Sequence, residues 1–268
     1  MMRGFRVPFD GRALVGDVLA GEEPPRLLVL HGAGQSNRAR FRQIREHFLA
    51  SGIGSVAFDC IGHGETGGDL KQDSLQSRTA QACAVIEASS MPQPFSILAG
   101  SMGGYTAVTL LPRYTIANLI LIGPAMYAAQ AYAVPFNAGF TEIIRRPNSW
   151  ESSDAWDILS RFTGRLLVVA GERDTVIPSG VIQNIYESAR NAAERTLFVA
   201  PGASHTIITD VRAHAPDQLD RVLGLMTGML MADKESSRSM VSGAVPEREM
   251  YGVRERLYGM HEHNEPTA

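Results

Sequence analysis

The stretch SILAGSMGGYTA at residues 96–107 determines how the chain is expected to fold. An apolar run ends at Ala99, a single serine follows at position 101, and the residues after it favour a helix. Ser101 is therefore expected on a tight turn between a buried strand and a helix. Ala99 and Gly103, two residues away on either side, are small enough for such a turn. A serine there is either a helix N-cap or a nucleophile whose hydroxyl projects clear of the backbone.

Five further apolar runs resemble the one before Ser101, and all six are rich in Val, Ile and Leu. They occupy residues 26–32, 54–59, 95–100, 117–123, 165–171 and 195–200. Runs that do not alternate with polar residues are typical of strands buried on both faces of a parallel sheet. Helical segments follow at 38–50, 74–89, 103–112, 179–193 and 215–231. This order predicts an α/β fold, with helices on both faces of a doubly wound, mostly parallel sheet.

Three segments depart from this alternation. The opening FRVPFDGRALVGDVLA predicts an antiparallel edge hairpin that turns at Asp-Gly. Residues 124–162 are long and aromatic, which predicts a short helical cap or lid inserted between two core segments, 1–123 and 163–232. An extra helical pair that only packs on the domain is the alternative. The polar, mixed-charge residues 233–268 predict a flexible C-terminal tail.

Composition restricts the class of protein. The 268 residues carry a net charge of −3, so no basic face for nucleic acid is expected. Two cysteines, Cys60 and Cys83, are too few for a disulfide framework and fit a reducing compartment. No signal-peptide core stands at the N-terminus, and no apolar stretch approaches the about 20 residues that a membrane span needs. A cytoplasmic protein is expected.

The serine turn resembles the nucleophile turn of the α/β-hydrolase superfamily, and the resemblance extends over about residues 5–232. The family pattern Gly-x-Ser-x-Gly reads A-G-S-M-G at 99–103, with Ala99 in place of the first glycine. The stretch LLVLHGAG, which contains His31 to Gly34, resembles the family's oxyanion loop. This resemblance implies that the backbone N–H groups of Ala33 and Met102 stabilise an oxyanion.

Two more motifs follow in the family's chain order of serine, acid and histidine. VVAGERDTVIP matches the family's Gly-x-x-Asp-x-x-x-Pro pattern and implies Asp174 as the acid, with Glu172 as a nearby competitor. APGASHTI implies His205 as the general base after the last strand. The resemblance thus implies a Ser101–His205–Asp174 catalytic triad.

The segment FDCIGHGETGG at 58–68 is interpreted as a structural loop, with a catalytic role as the alternative. Cys60 and His63 lie three residues apart without a second ligand pair, so no metal site is expected. The glycines around Ser101 are not followed by the Gly-Lys-Ser/Thr of a phosphate loop. No cofactor is implied.

The resemblance implies a serine hydrolase of the carboxylesterase or thioesterase type, which cleaves a small-to-medium acyl ester or thioester through an acyl-enzyme. A serine at position 101 argues against the similar haloalkane dehalogenases, which have an aspartate there. An acyltransferase or C–C bond hydrolase with the same triad is the alternative. A non-catalytic binding protein with this fold is the third hypothesis, and the three filled triad positions count against it.

Contacts to a small-molecule acyl substrate are expected from the oxyanion loop and the insertion. The candidates are His31, Gly32, Tyr127, Tyr132, Phe136, Arg145 and Trp156. Arg145 and Arg146 either pair with a substrate carboxylate or phosphate or form a solvated pair beside Pro147. The tail leaves open a homo-oligomer formed through residues 233–268.

Overall fold

Eight strands form one sheet in the computed structural model, which describes residues 1–242 and their side chains as far as residue 232. The strands are β1 (Met2–Phe9), β2 (Arg12–Leu19), β3 (Leu27–Leu30), β4 (Ser55–Phe58), β5 (Phe95–Gly100), β6 (Ile116–Ile122), β7 (Arg165–Gly171) and β8 (Glu194–Ala200). Their order is β1-β2-β4-β3-β5-β6-β7-β8. The pairs β1–β2 and β2–β4 are antiparallel and all others are parallel, which confirms the predicted fold class.

Eight α-helices accompany this sheet within the described residues. They are α1 (Arg42–Ala50), α2 (Leu75–Ser89), α3 (Met102–Leu110), α4 (Thr141–Ile144), α5 (Ala155–Ser160), α6 (Ser179–Ser188), α7 (Ile207–His214) and α8 (Pro216–Ser242). A 3₁₀ turn, Arg38–Phe41, precedes α1. The short helix α7 was not predicted, and α8 continues beyond the predicted end at residue 231.

Two compact units divide the chain, residues 1–231 and 232–268. The predicted tail at 233–268 begins within the last turns of α8. Its remainder, 243–268, lies outside the described residues, so a tail-mediated homo-oligomer stays a prediction.

Both faces of the sheet are buried from β3 to β7, which explains why these strand sequences do not alternate between apolar and polar residues. Leu98 of β5 packs into one hydrophobic cluster, while its neighbours Ile97 and Ala99 pack into the other. Side chains from α2, α3, α5 and α6 complete the first cluster, and those from α1, α7 and α8 complete the second. Successive strand residues point to opposite faces, so each face requires its own apolar set.

The antiparallel edge hairpin forms as predicted. Asp10 and Gly11 join β1 to β2, and both have positive φ angles, 45° and 68°. A two-residue turn with positive φ at both positions matches the twist of the flanking strands, and Asp-Gly is a preferred pair for it.

Residues 124–162 contain α4, α5 and three further short helical turns. Their aromatic side chains pack inward. The rings of Tyr127 and Tyr132 lie 5.6 and 6.2 Å from the ring of Tyr105 in α3. Phe140 is buried and contacts both Tyr127 and Phe136. This aromatic cluster anchors the segment to the helix that follows β5.

We expect Tyr105→Phe to lower the free energy of unfolding by about 1 kcal/mol, because the substitution removes one hydrogen bond and leaves the ring in place. The Tyr105 hydroxyl donates to Asp154 Oδ1 across 2.7 Å and so links α3 to residues 124–162. Urea unfolding followed by circular dichroism measures the change. Tyr186→Phe is the control, since the ring that contacts Arg195 remains. Equal changes in the two variants would contradict a role for the Tyr105 hydroxyl.

Candidate active site

Ser101 has a strained backbone conformation. Its φ of 50° and ψ of −123° are unusual for a residue with a side chain. The Ser101 N–H donates to the Ile122 carbonyl at 3.0 Å, and its own carbonyl accepts from Gly104 and Ala125 at 2.9 and 3.0 Å. A non-glycine residue in such a region costs about 1–3 kcal/mol, which the surrounding hydrogen bonds must offset. The turn projects the Ser101 side chain beyond the end of β5.

Small residues around Ser101 are required by contact distances. A Cβ atom on Gly103 would lie 2.7 Å from the Leu30 carbonyl oxygen. A Cβ atom on Gly32 would lie 2.9 Å from the Ser101 Cβ. The glycines therefore allow α3 and the loop after β3 to approach the serine turn closely.

The three side chains predicted as a triad form one chain of hydrogen bonds. His205 Nε2 lies 3.1 Å from Ser101 Oγ, and His205 Nδ1 lies 2.8 Å from Asp174 Oδ2. Asp174 Oδ1 accepts the N–H groups of Val176 and Ile177 at 2.8 and 3.0 Å. With the Nδ1 proton donated to the carboxylate, the Nε2 lone pair faces the serine hydroxyl.

Glu172, the alternative acid, is engaged elsewhere. Its Oε2 accepts the N–H of Gly202 at 2.8 Å. The carboxylate that contacts His205 is therefore that of Asp174, whose side chain is 7% exposed against 24% for His205. The acid is shielded from water while the imidazole stays accessible.

The loop after β3 holds Ala33 beside the serine, and both line one cavity. The Gly32 carbonyl accepts from His31 Nδ1 at 2.7 Å and from Arg78 Nη2 at 3.2 Å. In a trans peptide the following N–H points opposite to the carbonyl, so the Ala33 N–H points away from Arg78. Met102 is the first residue of α3, where an N–H has no partner within the helix.

Arg78 of α2 is a site residue that the sequence analysis missed. Only 1% of it is exposed. Its Nη2 donates to the carbonyls of His31 at 2.8 Å and Gly32 at 3.2 Å, and its Nη1 donates to His63 Nε2 at 3.2 Å. The sequence does contain an indication that position 78 lies on a buried helix face. Leu75, Ala82 and Val85 lie at helical spacing from it, and all three are buried. An arginine on an apolar helix face indicates a buried hydrogen-bonding role.

The ring of His31, an expected substrate contact, is buried, and both of its nitrogens are hydrogen-bonded within the protein. Nδ1 donates to the Gly32 carbonyl, and Nε2 accepts the N–H of Cys60 at 3.0 Å. Burial, then the nearby Arg78 charge, holds the pKa of His31 well below its usual range. The same two causes, in the same order, lower the pKa of His63, whose ring lies 4.7 Å from that of His31.

Hydrogen bonds and an ion pair to Asp59 hold the loop at 58–68 in place. The Asp59 carboxylate accepts the N–H groups of Arg38 and Glu65 and also pairs with the Arg38 guanidinium. A Cβ atom on Gly64 would lie 2.1 Å from that carboxylate. Burial raises the pKa of the Cys60 thiol to about 11. These contacts give the loop a structural role and none of them reaches Ser101.

A cavity of about 180 Å³ opens beside Ser101. Ser101, His205, Gly32 and Ala33 line it at the end of the sheet. Both apolar and polar side chains line the rest of the cavity. These lining residues are Phe41, Ile44, Ile122, Ile207, Ile208, Ser36, Arg40, Thr206, Thr209 and Arg212.

Five expected substrate contacts in residues 124–162 do not line this cavity: Tyr127, Tyr132, Phe136, Arg145 and Trp156. The two tyrosines and Phe136 belong to the aromatic cluster around Tyr105 and Phe140. Trp156 Nε1 donates to the Trp150 carbonyl at 3.0 Å, and Arg145 is exposed at the end of α4. The expectation took the aromatic composition as a sign of a binding wall, whereas these rings pack on α3 and on each other.

Comparisons with known proteins agree with this architecture. A family model described as serine aminopeptidase, S33, matches residues 22–150. The Pyrococcus furiosus esterase Pf2001 is 19% identical, with 87% of this chain and 92% of that chain covered and a TM-score of 0.64. Est1E from Butyrivibrio proteoclasticus, with ferulic acid bound, is 17% identical over 85% and 99%, with a TM-score of 0.65. The thioesterase domain from the curacin biosynthetic pathway is 18% identical over 83% and 99%, with a TM-score of 0.60.

The sheet order, the serine turn after β5 and the similar solved structures define the fold. The chain has the α/β-hydrolase fold, and residues 22–150 match the serine aminopeptidase, S33, family model. No curated protein sequence matches it. Among residues 1–242, none of the helices combines the length and the apolar character that crossing a membrane requires.

We expect Gly103→Ala to lower the free energy of unfolding by about 1–3 kcal/mol, because the new methyl group meets backbone carbonyls that cannot move aside freely. Gly224→Ala is the matched control in α8, where a Cβ atom meets nothing within 4 Å. Alanine is a better helix former than glycine, so this control should gain about 1 kcal/mol at most. Thermal and urea unfolding measure both, and a neutral Gly103→Ala would refute the close approach.

Proposed function

We propose that this protein is a serine hydrolase that cleaves a small-to-medium acyl ester or thioester through an acyl-enzyme. The observation that carries the proposal is the hydrogen-bonded chain from Ser101 through His205 to Asp174. A serine hydroxyl becomes nucleophilic when an adjacent imidazole takes its proton, and the carboxylate holds the imidazole in the tautomer that can do so.

In the first half-reaction Ser101 Oγ attacks the substrate carbonyl carbon while His205 Nε2 takes the hydroxyl proton. The carbonyl oxygen becomes an oxyanion, and the N–H groups of Ala33 and Met102 are the proposed donors to it. The C–O or C–S bond then breaks, and His205 returns the proton to the departing alcohol or thiol. An acyl group remains on Ser101.

In the second half-reaction water replaces the alcohol or thiol. His205 takes a proton from the water as its oxygen attacks the acyl carbon, and the tetrahedral intermediate forms again. The bond to Ser101 Oγ breaks, the serine regains its proton, and the carboxylic acid leaves. Each step uses only the groups described around Ser101.

The size and lining of the cavity support the proposal that the acyl group is small to medium in size. Its volume of about 180 Å³ and its apolar lining from Phe41, Ile122 and Ile207 suit a short aliphatic or aryl chain. The similar solved structures are, by name, an esterase, an enzyme with ferulic acid bound and a thioesterase domain. Their names support an ester or thioester as the substrate class.

We expect a fluorophosphonate probe to label the wild type, and Ser101→Ala to abolish labelling. Ester turnover should fall at least about 10³-fold, as when a triad member is removed from a serine hydrolase. The assay uses 4-nitrophenyl esters from acetate to octanoate. Ser204→Ala is the control, because the Ser204 hydroxyl bonds Asp210 rather than the His205 ring. A wild type that takes no label and cleaves no ester would refute the proposal.

We propose that Arg78 positions the oxyanion loop, and expect Arg78→Lys to lower kcat by about tenfold to a hundredfold with a smaller change in KM. A lysine keeps the charge but cannot serve two carbonyls and an imidazole in the geometry of the guanidinium. Kinetics on 4-nitrophenyl butyrate measure the split between kcat and KM.

Arg45→Lys is the control for this variant. Arg45 is equally buried but pairs with Asp17 and hydrogen-bonds Ser55, away from Ser101. It should lose stability without losing kcat per folded molecule. A kcat for Arg78→Lys within twofold of wild type would show that the loop keeps its geometry without the guanidinium.

A further inference from the structure

The cavity beside Ser101 has a positive lining. Arg40 and Arg212 both contribute to it, and among residues 1–232 no Asp or Glu lines it. Within residues 1–232, neither guanidinium has a carboxylate in ion-pair contact. The charge of both side chains is therefore available to a molecule that enters the cavity.

Arg40 differs in this respect from the arginines around it. Arg38 pairs with Asp17, Asp59 and Glu65, Arg42 pairs with Glu46, and Arg45 pairs with Asp17. These three arginines flank Arg40 in the same turn and helix, and each of them has an acidic partner. Arg40 is the arginine of this segment that lines the cavity, and it is the one left without a carboxylate.

Arg212 lines the same cavity from α7. It lies one helical turn after Ile208 in α7, so both side chains face the cavity from the same side of the helix. The nearby acid of α7, Asp210, is turned toward the preceding loop. Its Oδ2 accepts the N–H and hydroxyl of Ser204 at 2.7 and 2.6 Å, and its Oδ1 accepts from Thr206 at 3.1 Å.

Hydroxyl groups accompany the two arginines. Ser36 and Thr209 line the same cavity, as does Thr206, whose hydroxyl already donates to Asp210. Guanidinium and hydroxyl donors together suit a carboxylate or a phosphate, since both anions accept several hydrogen bonds at once. The isoleucines at 122 and 207 add an apolar surface to the same cavity.

We propose that the natural substrate carries an anionic group, a carboxylate or a phosphate, which Arg40 and Arg212 bind while its ester or thioester carbonyl lies at Ser101. This inference rests on the proposed hydrolase function and specifies its substrate class. The anion belongs either to the acyl chain, as in a dicarboxylic acid half-ester, or to the leaving group, as in a phosphate-bearing thiol.

Two matched substrate pairs test the proposal and separate the two sources. The first pair is 4-nitrophenyl hydrogen adipate and its methyl ester, which differ in one terminal charge on the acyl side. The second pair is S-butyryl-4′-phosphopantetheine and S-butyryl-pantetheine, which differ in one phosphate on the leaving group. For each pair kcat/KM is measured on wild type, Arg40→Gln, Arg212→Gln and the double variant.

We expect the wild type to prefer the anionic member of one pair, and each single variant to reduce that preference about tenfold, as the loss of one hydrogen bond to a charged group does. Raising the salt concentration should reduce it too. Arg190→Gln removes an exposed arginine outside the cavity and should leave the preference unchanged. The pair that responds identifies the side that carries the anion.

Two outcomes overturn the proposal, and they are distinct. If the neutral esters are cleaved in a Ser101-dependent way but neither pair shows a preference that the arginine variants alter, the anion inference is wrong and the hydrolase function stands. If no ester or thioester is cleaved and no probe binds Ser101, the proposed function fails and the inference fails with it.

Discussion

The backbone at Ser101 is the constraint on which the rest of the structure depends. A residue with a side chain has a φ of 50° there, at a cost of about 1–3 kcal/mol, and only a rigid surrounding can keep it so. β5 is buried along its whole length, the Ile122 carbonyl holds the serine N–H, and Gly103 lets α3 start against the loop after β3. The buried central strands and the glycines around the serine thus act together to hold this one turn.

Much of this arrangement could be predicted from the sequence, because each prediction rested on residues that lie close together in the chain. Continuous apolar runs predicted the parallel strands, and Asp10-Gly11 predicted the edge hairpin with its positive φ angles. The triad positions follow strand ends, which meet at one edge of a parallel sheet. Helix α7 was missed because eight residues span only about two turns, too few for a clear helical periodicity.

The errors concern long-range packing. The aromatic residues of 124–162 look alike whether they line a cavity or fill a core, and only the fold shows that Tyr127 and Tyr132 meet Tyr105. Arg40 and Arg212 could not be recognised because they lie far apart in sequence and gain meaning from sharing one cavity. His31 belongs to the expected loop, yet its role depends on Arg78 and Cys60, which approach from other elements.

The buried arginine has a consequence for proton balance. Arg78 lies against two imidazoles, and burial together with this charge keeps the pKa values of His31 and His63 below their ordinary value of 6.5. In the unfolded chain both rings are free to take a proton below that pH, so unfolding in acid is accompanied by proton uptake. The folded state is therefore favoured above pH 6.5 and loses stability as the pH falls from 6.5 toward the lower pKa values of the folded rings. Burial of the two rings, together with the charge of the arginine that anchors the loop after β3, thus makes the fold less stable in acid.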